Sequence, residues 1–325
     1  MTTARRAGGD EREGVPLSNL DDPLFEGASA TKRDLVDYLD GVADRLLPVL
    51  RDRPLSVIRV HRGQEAFMQK NLPSYAPDWI ERITAWAESS KREVTYALCN
   101  DRRTLLWFAN QRAVEYHPAL TTVADPDRVT HLVLDLDPPE ADPFPMAVRA
   151  AHLVRKALAE AALEGAVKTS GAKGMHVFVP IAGGAPVDEG AAATRALAAR
   201  VERLDPSLAT TAFMKEDRHG RVFIDATRVG GATVVAAYSP RLRAGTPVSY
   251  PVGWDELDRV RPDDFTVHTV LRLLCDDDPW AANVPRAQPL PPVLVAEGRA
   301  LPPGRVQAMH EGRRRSRARR GSDQA

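Results

Sequence analysis

The stretch Thr130-His-Leu-Val-Leu-Asp-Leu-Asp-Pro-Pro139 is the most informative part of this chain. Its apolar run predicts a buried strand, and Pro138 ends that strand because proline has no N–H to donate to a sheet. Side chains alternate along a strand, so Asp135 and Asp137 leave the same face, about 7 Å apart at Cα. Two carboxylates held this close favour a bound cation or a shared proton. A pair of divalent metals is the usual arrangement where a phosphoryl group is transferred.

Two other interpretations of the aspartate pair stay open at this point. An Asp-Pro step commonly starts a turn, so the two carboxylates can simply belong to a turn after a strand. Glycosyltransferases use a similar pair to hold a metal-bound sugar nucleotide. Segments further along the chain decide between these interpretations.

The composition is that of an ordinary globular protein. The chain has 325 residues, 43% hydrophobic and 27% charged, enough for one large domain or two smaller ones. No apolar run approaches the roughly 20 residues of a membrane span, so no membrane partner is expected. Met1–Gly14 lacks the apolar core of a secretory signal and is predicted to be disordered. Two cysteines, Cys99 and Cys275, cannot build a thiolate zinc site, and they favour a reducing cytoplasm.

Charge is distributed unevenly along the chain, although the total is zero. Residues 299–325 contain eight arginines against Glu311 and Asp323, a balance of +6 that leaves −6 on residues 1–298. The run Arg313–Arg320 has no apolar periodicity and is predicted to be disordered. It is either a solvated extension or a contact to nucleic-acid phosphates that does not depend on base sequence.

Helical and strand-like patterns are mixed without strict alternation, which predicts an α+β fold rather than a doubly wound parallel sheet. Thr31 is the expected N-cap of the first helix. The predicted helices are Lys32–Leu50, Arg102–Ala113, Pro145–Ala162, Asp188–Leu204 and Asp263–Cys275. Besides the aspartate strand, the predicted strands are Leu55–Val60, Glu93–Leu98, Val167–Thr169, Met175–Ile181 and a pair formed by Val222–Asp225 and Thr233–Tyr238.

A second polar segment, Lys168-Thr-Ser-Gly-Ala-Lys-Gly-Met-His176, lies between two predicted strands. Its two glycines permit a tight turn, and its hydroxyl, ammonium and imidazole groups suit the oxygens of a triphosphate. The donors are Ser170, Lys173 and His176. It is not a Walker loop, because the spacing differs and no helix follows directly. A simple glycine-bearing hairpin is the alternative.

Three smaller features are ambiguous when each is taken alone. Asp225 ends an apolar strand and would complete a trio of metal-binding carboxylates if that strand lies beside the aspartate strand; otherwise it is an ordinary strand-end residue. Arg241 and Arg243 form a phosphate clamp if both face inward, or a solvated edge if they do not. His117 by itself indicates a partly buried structural histidine.

Together and in this order, these segments resemble the polymerase domain of bacterial ligase D, a branch of the archaeo-eukaryotic primase superfamily that acts in non-homologous end joining. The resemblance rests on Leu-Asp-Leu-Asp-Pro, Thr-Ser-Gly-x-Lys-Gly-x-His, Val-Phe-Ile-Asp, Ala-Ala-Tyr-Ser-x-Arg-x-Arg and Pro247–Leu257. It extends from about Leu17 to Leu274 and sets the glycosyltransferase interpretation aside. It implies a primase-like fold, with mixed sheets flanked by helices and an RRM-like catalytic part.

The resemblance also implies a domain organisation. A primase-polymerase domain would occupy residues 15–284, with an N-terminal α/β part to about 115 and a catalytic part from about 116. Residues 1–14 would be a disordered N-terminus. Residues 285–325 would be a proline-rich linker and a basic disordered tail.

The resemblance assigns roles residue by residue. Asp135, Asp137 and Asp225 would hold two divalent ions, with Mn²⁺ preferred and Mg²⁺ as the alternative. The triphosphate of the incoming nucleotide would be bound by Ser170, Lys173 and His176, helped by Arg241 and Arg243. His117 would lie near the nucleotide and contribute to its binding. Contacts to primer, template or a 5′-phosphate across a gap would come from Lys32, Phe67, Lys70, Arg218 and Arg228.

The sequence departs from the family pattern in three places. Asp22 lies where the family often has a second phosphate-binding lysine, and its charge would repel a phosphate. Met68 replaces the second aromatic of a pair that stacks on template bases. The segment after Asp225 lacks the usual aromatic and is about one residue short, near Arg228.

The predicted activity is template-directed nucleotidyl transfer. The 3′-hydroxyl of a primer, bound to one metal, would attack the α-phosphate of an NTP or dNTP, with ribonucleotides preferred, during gap filling or end joining of DNA. Ligase and nuclease domains are absent from the chain, so a ligase and a Ku-like end binder would be separate partners, in the cytoplasm at the nucleoid. The alternative is a DNA-end binding module with weakened catalysis, which the three departures and the acidic residues 1–298 favour.

Overall fold

The N-terminal part contains a five-stranded sheet and three helices. The computed structural model describes residues 10–61, 63–87, 91–140, 143–230 and 233–301. The elements of this part are the hairpin β1 (Glu11–Arg12) and β2 (Val15–Pro16), then α1 (Lys32–Gly41), α2 (Ala43–Leu50), β3 (Leu55–Arg59), β4 (Phe67–Gln69), β5 (Arg82–Ala87), β6 (Arg92–Ala97), α3 (Arg102–Asn110) and β7 (Ala113–Pro118). In the sheet, β3 pairs with β4, β6 and β7, and β5 pairs with β6.

The catalytic part is built on a six-stranded sheet. Its elements are β8 (Arg128–Asp137), α4 (Pro143–Glu160), β9 (Ala166–Thr169), β10 (Met175–Pro186), α5 (Val187–Leu204), β11 (Ala209–Thr210), β12 (Val222–Asp225), β13 (Pro251–Val252), α6 (Val270–Leu274), α7 (Pro279–Asn283) and α8 (Pro292–Ala300). The strand order is β11-β12-β8-β10-β9-β13, so the aspartate strand β8 lies in the interior of the sheet.

The centre of this sheet has the topology of an RRM. The elements β8, α4, β9, β10, α5 and β12 follow the order β-α-β-β-α-β, and their strands lie side by side as β12-β8-β10-β9, all antiparallel. Strands and helices are mixed without strict alternation and most neighbouring strands are antiparallel, so the described part of the chain is α+β. Both the α+β prediction and the RRM-like prediction are confirmed.

Side chains along β8 alternate between the hydrophobic core and the opposite, polar face of the sheet. Leu132, Leu134 and Leu136 are fully buried on the face that α4 and α5 cover, where Leu132 lies close to Gly190 of α5. Asp135 and Asp137 therefore leave the opposite face, because neighbouring side chains on a strand point in opposite directions.

The two parts share one continuous apolar core and several buried hydrogen bonds. The backbone N–H of Tyr116 in β7 donates to Ser239 Oγ at 2.9 Å, and Tyr38 Oη of α1 donates to the carbonyl of Tyr238 at 2.8 Å. The chain around residues 236–249 therefore connects the N-terminal sheet to the catalytic sheet.

The first predicted helix is correct at its start and wrong in its length. Thr31 and Asp34 form a capping box, in which each side chain accepts a hydrogen bond from the other's backbone N–H. Helix α1 ends at Gly41, and α2 begins at Ala43. Glycine is a poor helix former, and Leu271 packs so closely that a Cβ at Gly41 would lie 2.8 Å from its Cδ2.

Two other predicted elements are wrong. The predicted helix Asp263–Cys275 is a 3₁₀ turn, Pro262–Asp264, followed by the short helix α6. Between them, Thr269 Oγ1 accepts from the N–H of Thr266 and donates to the carbonyl of Asp264, so its hydroxyl competes with helical bonding. The predicted strand Thr233–Tyr238 does not form a strand; β12 pairs with β8 and β11 instead.

The predictions for the two chain ends need correction within the described residues. Glu11–Arg12 pairs with Val15–Pro16, and Arg12 forms ion pairs with Asp37 and Asp40 of α1, so the predicted disorder does not extend over residues 10–14. Residues 285–301 are not a linker, because α8 packs on α5 with Gly298 against the backbone of Ala192. Residues 1–9 and the basic run Arg313–Arg320 lie outside the described residues.

Candidate active site

The register of the catalytic sheet places four polar side chains in one row. Asp135 lies directly opposite Asp225 of β12 on one side and His176 of β10 on the other, and His176 lies opposite Lys168 of β9. Directly opposed residues of antiparallel strands share a face, with Cβ atoms about 4.5–5.5 Å apart. We call Lys168, His176, Asp135 and Asp225 the polar row.

Arg228 bridges the two aspartates of the polar row. Its Nη2 lies 2.8 Å from Asp135 Oδ2 and 3.3 Å from Asp225 Oδ2. Asp225 Oδ1 accepts hydrogen bonds from the backbone N–H and the hydroxyl of Thr227. Burial opposes ionisation of Asp135, but His176 and Arg228 outweigh it and hold its pKa well below the ordinary range. Asp135 is therefore ionised at neutral pH.

Asp137 lies one pleat further along β8 and pairs with two other cations. Arg218 Nη1 donates to Asp137 Oδ2 at 2.8 Å, and Lys173 Nζ lies 3.4 Å from Oδ1. Lys173 also donates to Glu140 at 3.0 Å. The guanidinium of Arg218 rests on the ring of Phe223, with its Cζ 4.1 Å from the ring centroid. Arginine and lysine side chains thus neutralise the aspartates in this structure.

The carboxylates of Asp135, Asp137 and Asp225 are suitable ligands for a divalent metal. In this structure they pair mainly with arginine and lysine side chains instead. Carboxylate oxygens are the ligands that Mg²⁺ and Mn²⁺ favour. Within the part of the chain that the structure describes, no three His, Cys, Asp or Glu side chains converge in a metal-binding geometry. Metal binding would require Arg228 and Arg218 to release the carboxylates and the side chains of Asp135, Asp137 and Asp225 to converge.

The predicted triphosphate loop is a tight turn between β9 and β10. Ser170 Oγ accepts hydrogen bonds from the backbone N–H groups of Ala172 and Gly174, both at 3.2 Å. Gly171 has a φ of +66°, and a Cβ there would lie 2.5 Å from Arg241 Cγ, so this position requires glycine. The Ala172 and Gly174 N–H groups thus bond within the turn, and Lys173 extends towards Asp137 and Glu140.

Behind the loop lies a lysine that the sequence analysis did not select. Lys168 is completely buried, and its Nζ bonds to His176 Nδ1 at 2.8 Å and to Ser249 Oγ. Burial lowers the pKa of His176 to about 4, and the charge of Lys168 acts in the same direction. The signal available in the sequence was alternation, since Lys168 pairs with His176 across two predicted strands.

A second polar cluster forms where β7 meets the segment after Tyr238. His117 Nε2 lies 2.8 Å from Glu115 Oε2, and Arg241 Nε lies 3.1 Å from the same oxygen. Arg241 Nη1 donates to the carbonyl of Ser170. Arg243 is exposed and lies near the acid Glu140, so the two arginines do not both face inward as a clamp.

The residues predicted to contact DNA lie in three separate places. Arg218 and Arg228 lie against the aspartates. Lys32 is buried at the start of α1, where Nζ donates to Ser18 O at 2.6 Å and to Asn110 Oδ1 at 2.7 Å. Burial, aided by the charge of Arg112, lowers its pKa to about 8, and Asp22 partly offsets this.

The other predicted DNA contacts lie on β4, at the edge of the N-terminal sheet. Phe67 is 38% exposed and stacks on His61, with the ring centroids 5.2 Å apart. Met68 beside it is 46% exposed, and Lys70 follows the strand on the surface. This edge is open to a flat partner such as a nucleic-acid base.

None of the helices in the described ranges is both long and apolar enough to cross a membrane.

Comparison with known proteins identifies the family. The family model described as LigD, primase-polymerase domain matches residues 31–280. The bifunctional non-homologous end joining protein LigD of Bacillus subtilis (strain 168) is 34% identical over 262 residues, which cover 79% of this chain and 42% of that protein. The multifunctional non-homologous end joining protein LigD of Mycolicibacterium smegmatis is 36% identical over 262 residues, which cover 78% of this chain and 34% of that protein. The chain thus spans well under half the length of these relatives.

A solved structure agrees with this result. The polymerase domain of Mycobacterium tuberculosis ligase D, solved in complex with DNA, matches with a TM-score of 0.76 and 32% sequence identity. The match covers 83% of this chain and 99% of that domain, and it confirms the predicted primase-like fold. The chain therefore belongs to the LigD primase-polymerase domain family, a family of nucleotidyltransferases.

Proposed function

We propose that this chain is a template-directed nucleotidyltransferase that extends primer 3′ ends on DNA. The observation that carries the proposal is the register of β12, β8 and β10, which puts Asp225, Asp135 and His176 in one row beside Asp137. Asp135, Asp137 and Asp225 would hold two divalent ions, Mn²⁺ or Mg²⁺. When bound, such ions activate the attacking hydroxyl and stabilise the charge on the leaving pyrophosphate.

The residues around the aspartates support binding of a nucleoside triphosphate. Lys173 and Arg243 lie at the exposed mouth of the loop, where their charges attract phosphate oxygens. His176 and Ser170 lie deeper, and Arg241 holds the loop by its bond to the carbonyl of Ser170. His117 lies beside Arg241 through their shared partner Glu115. Arg218 and Arg228, once released from the aspartates, would be free to contact primer or substrate phosphates.

The relatives' names motivate the biological role. We propose gap filling and end extension during non-homologous end joining, with ribonucleotides preferred over deoxyribonucleotides and with a separate ligase and a Ku-like end binder as partners at the nucleoid. The proposed DNA contacts are Phe67 on β4, Lys70 directly after that strand and Lys32 on α1. Since Lys32 is buried and its backbone N–H donates to the carbonyl of Asp22, which brings that acid close, we expect only weak recognition of a 5′-phosphate across a gap.

Primer extension tests the activity. The intact chain is incubated with MnCl₂, a primed DNA template and labelled NTPs or dNTPs, and extended products are resolved on a gel. Substrates with and without a 5′-phosphate beyond the gap measure that recognition. Asp137→Ala is expected to abolish incorporation, and an Asp137→Ala protein that still extends the primer would refute the proposed mechanism.

A second candidate is a DNA-end binding module with weakened catalysis. It is favoured by Met68 and by the arginine and lysine contacts that neutralise the aspartates. It predicts DNA binding without extension by the unmodified chain at any Mn²⁺ concentration. The same assay, combined with a DNA-binding measurement, therefore separates the two candidates.

A further inference from the structure

The buried carboxylate of Glu115 is connected to three of the proposed nucleotide-binding residues. It contacts His117 and Arg241 directly, and Arg241 in turn bonds to Ser170. Glu115 on β7 is 3% exposed. Its Oε2 lies 2.8 Å from His117 Nε2 and 3.1 Å from Arg241 Nε, and its Oε1 accepts the backbone N–H of Leu242 at 2.9 Å. A buried charge persists only if it is well partnered, and Glu115 has three partners from two separate segments.

The contacts of Glu115 extend to the triphosphate loop. Arg241, held on one side by Glu115, donates through Nη1 to the carbonyl of Ser170 on the other. Its Cγ also lies 2.5 Å from the position that a Cβ of Gly171 would take, so Arg241 packs directly against the turn. One carboxylate on the N-terminal sheet is therefore linked through a single arginine to a turn of the catalytic sheet.

The charge of Glu115 also determines how His117 is protonated. Burial opposes ionisation, but the hydrogen bond from His117 and the charge of Arg241 lower the pKa of Glu115 to about 2. An ionised carboxylate only accepts hydrogen bonds, so His117 Nε2 must carry a proton. Burial lowers the pKa of His117, which leaves a neutral ring with Nδ1 as an acceptor.

We propose that Glu115 is a positioning residue of the nucleotide site, whose carboxylate fixes the ring of His117, the guanidinium of Arg241 and, through Arg241, the turn at Ser170. This inference rests on the proposed function for its kinetic consequence. The hydrogen bond between Glu115 and His117 can be tested whether or not the chain is catalytically active.

Glu115→Gln tests the proposal because glutamine keeps the size and one acceptor while it removes the charge. The single amide oxygen can replace only one of the two carboxylate oxygens, so the NH2 group must face a donor, either His117 and Arg241 or the backbone N–H of Leu242. In both orientations the charge that holds Arg241 is lost. The KM for the incoming NTP in Mn²⁺-dependent primer extension is expected to rise at least tenfold, whereas kcat falls less than threefold. NMR spectra of ¹⁵N-histidine-labelled protein report which ring nitrogen of His117 is protonated, and the His117 signals are assigned by their loss in a His117→Asn sample. In Glu115→Gln these signals are expected to differ from those of a ring protonated at Nε2.

Glu297→Gln is the matched control. Like Glu115, Glu297 is a carboxylate paired with arginine. Its partners are Arg200 and Arg203, and it lies between α5 and α8, away from the proposed site. Its substitution is expected to leave the KM and the His117 signals unchanged. A double-mutant cycle adds a further check, because Glu115→Gln should raise the KM less in a His117→Ala background than in the unmodified chain.

The outcomes separate this proposal from the proposed function. A folded Glu115→Gln protein with unchanged KM and unchanged His117 signals overturns the positioning role. If that variant does not fold, Glu115→Asp decides, because it keeps the charge but withdraws it by one methylene; unchanged KM and signals would again overturn the role. An unmodified chain that extends no primer refutes the proposed function, whereas changed His117 signals in Glu115→Gln would still support the coupling.

Discussion

The polar row and the edge strand β4 both carry residues proposed to contact substrate, yet they are built in opposite ways. In the row, Lys168, His176 and Asp135 are largely buried and bonded to one another across neighbouring strands. On β4, Phe67 and Met68 are exposed. Sheet register and buried hydrogen bonds fix the row before any substrate arrives, whereas side chains on an open edge can adjust to the shape of a nucleic acid.

Between the polar row and β4, the larger effect should come from removing the buried lysine of the row. Lys168→Met keeps the length of the side chain and removes its bond to His176 Nδ1. We expect primer extension to fall about tenfold, in line with the loss of one buried hydrogen bond. Thermal unfolding should shift by less than about 4 °C, because replacing a buried polar group by an apolar group of similar size is often nearly neutral.

Lys156→Met, an exposed substitution on α4, is the control for this comparison. It should leave both primer extension and thermal unfolding unchanged. If Lys168→Met retained full activity, the row would not depend on its buried lysine, and the contrast with β4 would weaken.

A smaller effect is expected at the edge strand. Phe67→Ala should weaken binding of a primed template about fivefold, since base–aromatic stacking contributes roughly 1–3 kcal/mol per base. Met68→Phe should strengthen it, because it adds a second aromatic surface. Fluorescence anisotropy with labelled DNA measures both. Trp86→Ala, an exposed aromatic on β5, is the control; a loss as large as that of Phe67→Ala would show that the effect is not specific to β4.

The last effect concerns stability rather than activity and is a pH dependence at Lys32. Its pKa is about 8 in the folded chain and near the ordinary 10.5 when unfolded. Between these values the unfolded chain holds a proton that the folded chain has released, so the free energy of unfolding should rise with pH in this window, by less than about 1.4 kcal/mol per pH unit. Urea unfolding from pH 7.5 to 10, compared with Lys32→Met, measures it. Identical slopes would show that Lys32 stays charged.

The sequence predicted those parts of the site geometry that follow from spacing along a single strand more successfully than those that depend on tertiary contacts. Alternation put Asp135 and Asp137 on one face, and the condition for Asp225 was met because β12 pairs with β8. The sequence did not reveal Glu115 as a member of the site, because its partner Arg241 comes from a distant segment. Alternation across two predicted strands places Lys168 opposite His176, but its contact with Ser249 comes from a distant segment. A pattern within one element carries no information about such tertiary partners.

The errors in the fold have the same origin. Gly41 ends α1 where Leu271 approaches, and the Thr266–Thr269 bonds interrupt a pattern that otherwise resembles a helix. The proline-rich stretch before residue 301 forms α8 because its apolar side chains find a surface on α5. Local composition suggested a linker there, and tertiary packing overrode it.

The arginines that bridge the aspartates have a consequence for how the protein is assembled. Arg228 and Arg218 act as internal counter-ions, so the repulsion among Asp135, Asp137 and Asp225 is already balanced in the polypeptide itself. Folding then does not depend on dissolved ions, and binding of the proposed divalent ions would be a separate, later exchange of one cation for another. A chelator that removes those ions would consequently abolish activity without unfolding the protein.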